Sequence, residues 1–271
     1  MTSIAGAELT PAGAAFDAVA ESFDARFGEW LSVTAQRAAV RAALLDAFPA
    51  GARLLEIGGG TGVDAAWLLA RGRSVLLTDA APAMVRAARA KLGPASAEML
   101  AAEQLDQLAT RGENFDGAFS NFAALNCVID LAPVGEALAR LVEPGGKAVL
   151  VVFGCCCPGE MVVEGLRGRF GNMFRRRHRG AVPARLSGRH FTVRYHRRRD
   201  MVRALSPWFA LVRTTGVGIF VPPSAAEPWI SAHPRLLALL QRIDRIVAWP
   251  LWFFGDHILF AFERRPEVAA P

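Results

Sequence analysis

Residues 54–65 read LLEIGGGTGVDA: an apolar run, one acid, and then four glycines packed around Thr61. Such a run is the end of a buried strand turning into a helix. Glycine permits the tight turn and leaves no Cβ to hold a ligand away from the backbone. In open α/β sheets this crevice, at the carboxyl ends of the strands, is where ligands bind. A dinucleotide fingerprint needs G-x-G-x-x-G/A, but Val63 stands where the last small residue belongs, which disfavours a nicotinamide oxidoreductase. No G-x-x-x-x-G-K-[ST] occurs, so the P-loop is excluded. An acid two residues before the first glycine repels a pyrophosphate and attracts a cation.

Around the loop, strands and helices alternate. Short apolar strands are expected at 53–57, 74–78, 115–120 and 147–153, with helices at 62–71, 81–92 and 131–142 and a turn at 143–146. A helix over 14–31 places Phe16, Val19, Phe23 and Phe27 at helical intervals, and a second follows with Ser32 as its N-cap. The alternation predicts a parallel sheet with right-handed crossovers. After Gly154 the pattern changes. Residues 155–205 read as an irregular, Arg-rich insertion with a strand or hairpin arm at 190–196. A strand at 208–214, an amphipathic helix at 234–249 and a last strand at 257–265 follow. One domain over 1–271 is expected, divided into a cofactor-binding core (14–154) and a substrate-side part (155–271).

The spelling Glu56-x-Gly58-Gly59-Gly60-x-Gly62 resembles motif I of class I S-adenosylmethionine-dependent methyltransferases. Further pieces match in order. Asp79 ends the second strand, "AAEQL" (101–105) follows the third, "FDGAFSNFAALN" (115–126) covers the fourth and its exit, and "FDAVAESFD" (16–24) resembles a lid helix. The resemblance covers about residues 14–154. It implies an α/β fold, a Rossmann-like seven-stranded methyltransferase sheet with the Arg-rich insertion after the fifth strand. It also implies S-adenosylmethionine as cofactor. Glu56 and Gly58–Gly62 would face the methionine part and Asn121 would flank it. Asp79 and Ala80 would meet the ribose, and Ala102 and Glu103 the adenine, because Ala101 replaces the family's usual aspartate. The second half resembles uncharacterised bacterial members with C-P-x-E and G-x-G-x-x-x-P-P, here at 157–160 and 216–223. That resemblance names no substrate.

Composition bounds the partners. The 271 residues are 52% hydrophobic, with a mean hydropathy of +0.26, enough for a sizeable core. The apolar run 246–254 is nine residues, about half of the ~20 needed to span a bilayer. The N-terminus has no basic or apolar stretch of a secretory signal, so a cytoplasmic setting is the default. The net charge of +6 hides an asymmetry: 166–203 holds thirteen arginines and one acid, a local +12. That segment reads as a solvated face, a grip on a substrate carboxylate or phosphate, or a contact with anionic lipid or RNA. No RNA-binding module surrounds it, so nucleic acid is not the expected partner. A small lipophilic or acidic acceptor is expected, with peripheral membrane contact through Trp249, Trp252, Phe253 and Phe254 as an option. An RNA methyltransferase and a cofactor-binding regulator without transferase activity are the rival readings.

The four cysteines, Cys127 and Cys155–Cys157, lack C-x-x-C spacing, so they read as free thiols rather than a metal site. A soft-metal or arsenical methyl acceptor is the minor alternative. For a protonated acceptor the candidate bases are Tyr195, His190, His196 and His257, with Asn126 to orient it.

Overall fold

The structure, a computed structural model, describes residues 9–28 and 30–266. The stretch 1–8, part of the segment read as lacking a secretory signal, lies outside them. In chain order the elements are α1 (Pro11–Asp17), α2 (Ala20–Gly28), α3 (Leu31–Ala47), β1 (Arg53–Ile57), α4 (Val63–Leu69) and β2 (Ser74–Asp79). Then come α5 (Pro82–Leu92), β3 (Ala97–Met99), α6 (Asp106–Thr110), β4 (Phe115–Ser120), α7 (Ala132–Leu141) and β5 (Val142–Phe153). The second half adds α8 (Pro158–Leu166), α9 (Phe170–Met173), β6 (Ala181–Leu186), β7 (Arg189–Arg194), α10 (Arg198–Leu205), β8 (Phe209–Val217), α11 (Pro234–Val247) and β9 (His257–Arg264).

Seven strands form one sheet in the order β3-β2-β1-β4-β5-β9-β8. β1 to β5 run parallel, and β9 enters antiparallel between β5 and β8. The central strands are buried on both faces, so they read as unbroken apolar runs. Leu55, Ile57, Ala118, Leu150 and Val152 point to the face covered by α6, α7 and α10. Leu54, Leu77, Phe119, Val149 and Val151 point to the face covered by α3, α4 and α5. This period-two division is the pleat itself. The antiparallel entry of β9 matters for function. It pairs Phe153 with His257, so the start of β9 lies at the same sheet end as the glycine loop.

Four expectations are corrected. The first helix breaks at Ala18–Val19 into α1 and α2. Ser32 is not an N-cap: Trp30 holds that position without a side-chain bond, and Ser32 lies inside α3. Its N–H and hydroxyl both donate to Glu227 Oε1 (3.0 and 2.6 Å), a carboxylate supplied from 195 residues away. The turn at 143–146 is a bulge within β5, because Phe115 pairs with Val142 and Gly117 with Lys147. The segment 155–205 is not irregular. It folds into α8, α9, the β6–β7 hairpin and α10. α10 turns Met201, Ala204 and Leu205 into the core beneath its arginines.

Candidate active site

Glycine is required by backbone at Gly58 and Gly60, which adopt φ of +65° and +57°. A Cβ on Gly58 would stand 2.3 Å from the Ala124 Cβ, so the loop at the exit of β4 can approach only a glycine. Above Gly60 the space is open, the nearest atom being Met84 Sδ at 3.9 Å. Bare backbone facing open space is what a ligand needs to come close.

Two acids frame this loop. Asp79, at the end of β2, accepts the Gly60 N–H at Oδ2 and the Ala81 N–H at Oδ1, both at 2.9 Å. Burial raises its pKa against the pull of those two N–H groups. A carboxylate offers about four acceptor directions, so two remain for hydroxyl donors. Glu56 is buried beneath the glycines, and its Oε2 has no partner. Burial first, and then the Asp64 and Asp79 carboxylates, push its pKa well above the usual range; Arg37 and the Ala65 N–H pull the other way. A buried carboxyl with an orphaned oxygen is a costly arrangement that a cationic ligand group would satisfy. The residues present therefore fit an S-adenosylmethionine, whose ammonium and sulfonium are cations and which carries no phosphate.

The loop is tied to its surroundings by Asn121 together with Asp64, Arg37 and Arg41, which the sequence did not single out. Asp64, in the first turn of α4, accepts from Arg37 Nη1 (2.7 Å), Arg41 Nε (2.8 Å) and Asn121 Nδ2 (2.7 Å). Asn121 in turn accepts the Phe122 N–H. Phe122 and Ala123 then take left-handed backbone (φ +47° and +64°), unusual for residues with a Cβ and costing about 1–3 kcal/mol each. The kink turns the Phe122 ring under the Arg37 guanidinium (4.5 Å) and against His257 (5.4 Å, edge-on).

The N-terminal helices cover the crevice. Phe16, Val19, Ala20 and Phe23 pack on Ala81 and Met84. Asp17 accepts the Ala83 N–H at the start of α5, and Asp24 accepts the Thr61 hydroxyl and pairs with Lys91 (2.7 Å). Phe16 also meets Phe191 of β7 at 6.0 Å. Beside Ala80 and Ala101, where the resemblance expects adenine, a cavity of about 30 Å³ is lined also by Leu9, Thr10, Leu100 and Gln104. Glu103 is exposed next to it, Ala102 is half-buried, and the Ala101 N–H is taken by Gln104 Oε1.

On the acceptor side the candidates part company. Both ends of the Asn126 amide are held by backbone, Nδ2 donating to Arg194 O (2.6 Å) and Oδ1 accepting the Phe153 N–H (2.8 Å). Through these two bonds Asn126 joins β5 to the end of β7. His190 is exposed on the hairpin. Tyr195 is buried against Phe153, and burial raises its pKa. His196 Nε2 lies 2.8 Å from Val128 O, while Nδ1 is sealed without a partner. His257 stacks on Phe153 at 4.7 Å, and its Nδ1 lies 2.9 Å from Gln36 Oε1. Burial lowers the pKa of both histidines.

Behind His257 is a buried ion cluster. Arg176 donates to Glu160, to Asp256 Oδ1 (2.8 Å) and to Asp256 O (2.8 Å). Arg175 adds a second cation on Glu160 (2.7 Å). One arginine of the basic segment is thus a core residue, not part of a solvated face. Three of the four thiols are held in the protonated form. Burial pushes Cys127 and Cys157 up to about 12 and raises Cys155, and no group of metal-ligand side chains forms among the described residues.

This sheet order, with an antiparallel strand between the last two, and a glycine loop framed by acids define the class I methyltransferase fold. Residues 55–150 match the family described as "Methyltransferase domain". The biotin biosynthesis bifunctional protein BioHC of Cellvibrio japonicus (strain Ueda107) is 34% identical over 147 residues, 53% of this chain and 28% of its own. The demethylmenaquinone methyltransferase of Clavibacter sepedonicus is 32% identical over 105 residues, 38% of this chain and 42% of its own. The chain thus spans less than half the length of either relative. A putative S-adenosylmethionine-dependent methyltransferase structure from Listeria monocytogenes superposes with a TM-score of 0.55 at 13% identity, over 83% of this chain and 96% of that one. Among the described residues, no helix is long and apolar enough to cross a membrane.

Proposed function

We propose that the chain transfers the methyl group of S-adenosylmethionine to a small lipophilic or acidic acceptor. The observation that carries this reading is the unpartnered Glu56 Oε2, buried under a glycine loop whose backbone is open above Gly60. Glu56 would hold the ammonium of the methionine part, with Asn121 beside it. Asp79 would accept from the ribose hydroxyls, next to Ala80. Ala102 and Glu103 would border the adenine. Bound there, the cofactor supplies a methyl already activated by its sulfonium. What the chain adds is alignment and exclusion of water. The covering helices and the aromatic walls Phe122, Phe153 and Tyr195 suit both tasks. The name of one relative, demethylmenaquinone methyltransferase, supports an apolar acceptor.

Calorimetry with S-adenosylmethionine and S-adenosylhomocysteine, followed by transfer of labelled methyl to small-molecule fractions of the host, tests the reading. Binding with turnover supports it. Binding without turnover favours a regulatory protein, and retention on heparin with RNA crosslinking at the basic segment favours an RNA methyltransferase. Absence of binding overturns all three.

A specific observation also supports membrane contact. Leu166 and Phe170 are 85% and 68% exposed, interleaved with Arg167 and Arg169. Apolar and basic side chains together suit the surface of an anionic bilayer. Co-flotation with vesicles containing phosphatidylserine, and none with neutral vesicles, is the expected result.

A further inference from the structure

Three segments far apart in sequence meet behind Phe153 and fix the proton of one imidazole. Gln36 of α3 is buried, and its amide nitrogen donates to Asp256 Oδ2 (3.1 Å) and Pro222 O (3.4 Å). A carboxylate and a carbonyl only accept, so the amide can have only its nitrogen there. Its oxygen therefore faces His257 Nδ1 at 2.9 Å. An amide oxygen also only accepts, so Nδ1 carries the ring proton and Nε2 is left with its lone pair. Nε2 has no partner among the described residues and, unlike His196 Nδ1, is not sealed from solvent. Arg176 holds Asp256 in place from the other side (2.8 Å). Gly218 completes the fit, since a Cβ there would stand 2.6 Å from the Gln36 amide nitrogen.

We propose that His257 is the general base of the methyl transfer, and that the acceptor is a hydroxyl on an apolar, ring-bearing molecule. This rests on the methyltransferase reading above. The rival candidates have the wrong state. His196 presents its N–H to Val128 O and buries its lone pair, and Tyr195 keeps its proton. A base is needed only where the acceptor atom holds a proton at working pH, as a hydroxyl does and a thioether or a preformed anion does not. Phe153 stacked on the imidazole and Phe122 at its edge give flat apolar walls that suit a ring. In the step, the acceptor oxygen forms the new bond to the methyl carbon and the carbon–sulfur bond of the donor breaks. The hydroxyl proton passes to Nε2, and a neutral thioether leaves. The charged groups facing His257 are Asp256 (3.5 Å), Arg176 and Glu160. Burial outweighs their net pull and keeps the ring neutral, ready to accept a proton.

Long-range proton–nitrogen NMR correlation of the 15N-histidine-labelled protein at pH 7 reads the tautomer directly. The expected result is an Nδ1–H ring for His257, identified by its loss in His257→Gln; an Nε2–H ring or an imidazolium overturns the proposal. His257→Gln should bind S-adenosylhomocysteine within about twofold of the parent. It should lose about 10²–10⁴-fold in methyl transfer to the host small-molecule extract. Equal transfer by parent and variant overturns the proposal while leaving the methyltransferase reading intact. No cofactor binding by the parent overturns that reading instead. With 13C-methyl donor, the product methyl should resonate as O-methyl; a label on nitrogen, sulfur or carbon overturns the hydroxyl assignment.

Discussion

Asp79 Oδ2 holds the backbone N–H of Gly60 at 2.9 Å, across the gap between the end of β2 and the glycine loop. One carboxylate thus shapes the loop and faces the crevice. Asp79→Ala removes both functions. Calorimetry should show at least about a tenfold loss of S-adenosylmethionine affinity, about 1.4 kcal/mol. Gly60→Val should do the same, because a β-branched residue at φ +57° is a steric outlier. Unchanged affinity in both variants would sink the site.

Glu56 gives a dependence on pH whose sign is fixed by the raised pKa. Folded protein holds this proton more tightly than unfolded protein, whose carboxyl titrates near the ordinary 4.5. Between that value and the raised one, stability therefore falls as pH rises. Glu56→Gln removes this slope, and the variant should melt about 2–4 °C above the parent at pH 8, equivalent to about 1 kcal/mol. The same variant should bind S-adenosylmethionine more weakly, having lost the anion. Calorimetric scans from pH 5 to 8 check both outcomes.

Arg176 neutralises two buried acids. In Asp256, burial works to raise the pKa, but His257, Arg176 and Gln36 together hold it below the ordinary 3.8. Arg176→Met leaves Asp256 and much of Glu160 uncompensated, and urea unfolding should show a loss of about 3–5 kcal/mol. Arg176→Lys should recover less than half of that. A single ammonium cannot match the planar fork that reaches Glu160, Asp256 Oδ1 and Asp256 O at once.

His196 should set part of the acid limb of stability. Burial lowers its pKa below the ordinary 6.5, so the unfolded state binds the extra proton first. The contribution is present above pH 6.5 and is lost as pH falls from there toward the folded value. The parent Tm should drop over that window, and His196→Gln should drop less. Parallel curves would mean that His196 already binds a proton in the folded protein.

What could be read from the sequence was local. The glycine loop, Glu56, Asp79 and the strands around them lie within short stretches whose residue order carries the geometry. The partnership of Gln36 with Asp256 joins positions 220 residues apart, and nothing near either marks it. The cap on α3 failed for the same reason, since Glu227 reaches Ser32 only through the folded chain. Asn126 is a different case. It sits where an acceptor contact is expected, but two backbone groups have claimed its amide. In α10 the signal was present and masked: Met201, Ala204 and Leu205 repeat at helical spacing beneath a crowd of arginines.

The space beside Ala80 and Ala101 borders the N-terminal end of α1. Leu9 and Thr10 line that space, and Thr10 caps α1 by accepting the Gly13 N–H. Phe16 of α1 leans on Phe191 of the β6–β7 hairpin, whose end is anchored through Arg194 to Asn126. A single chain of contacts thus runs from the crevice beside the glycine loop to the exit of β4.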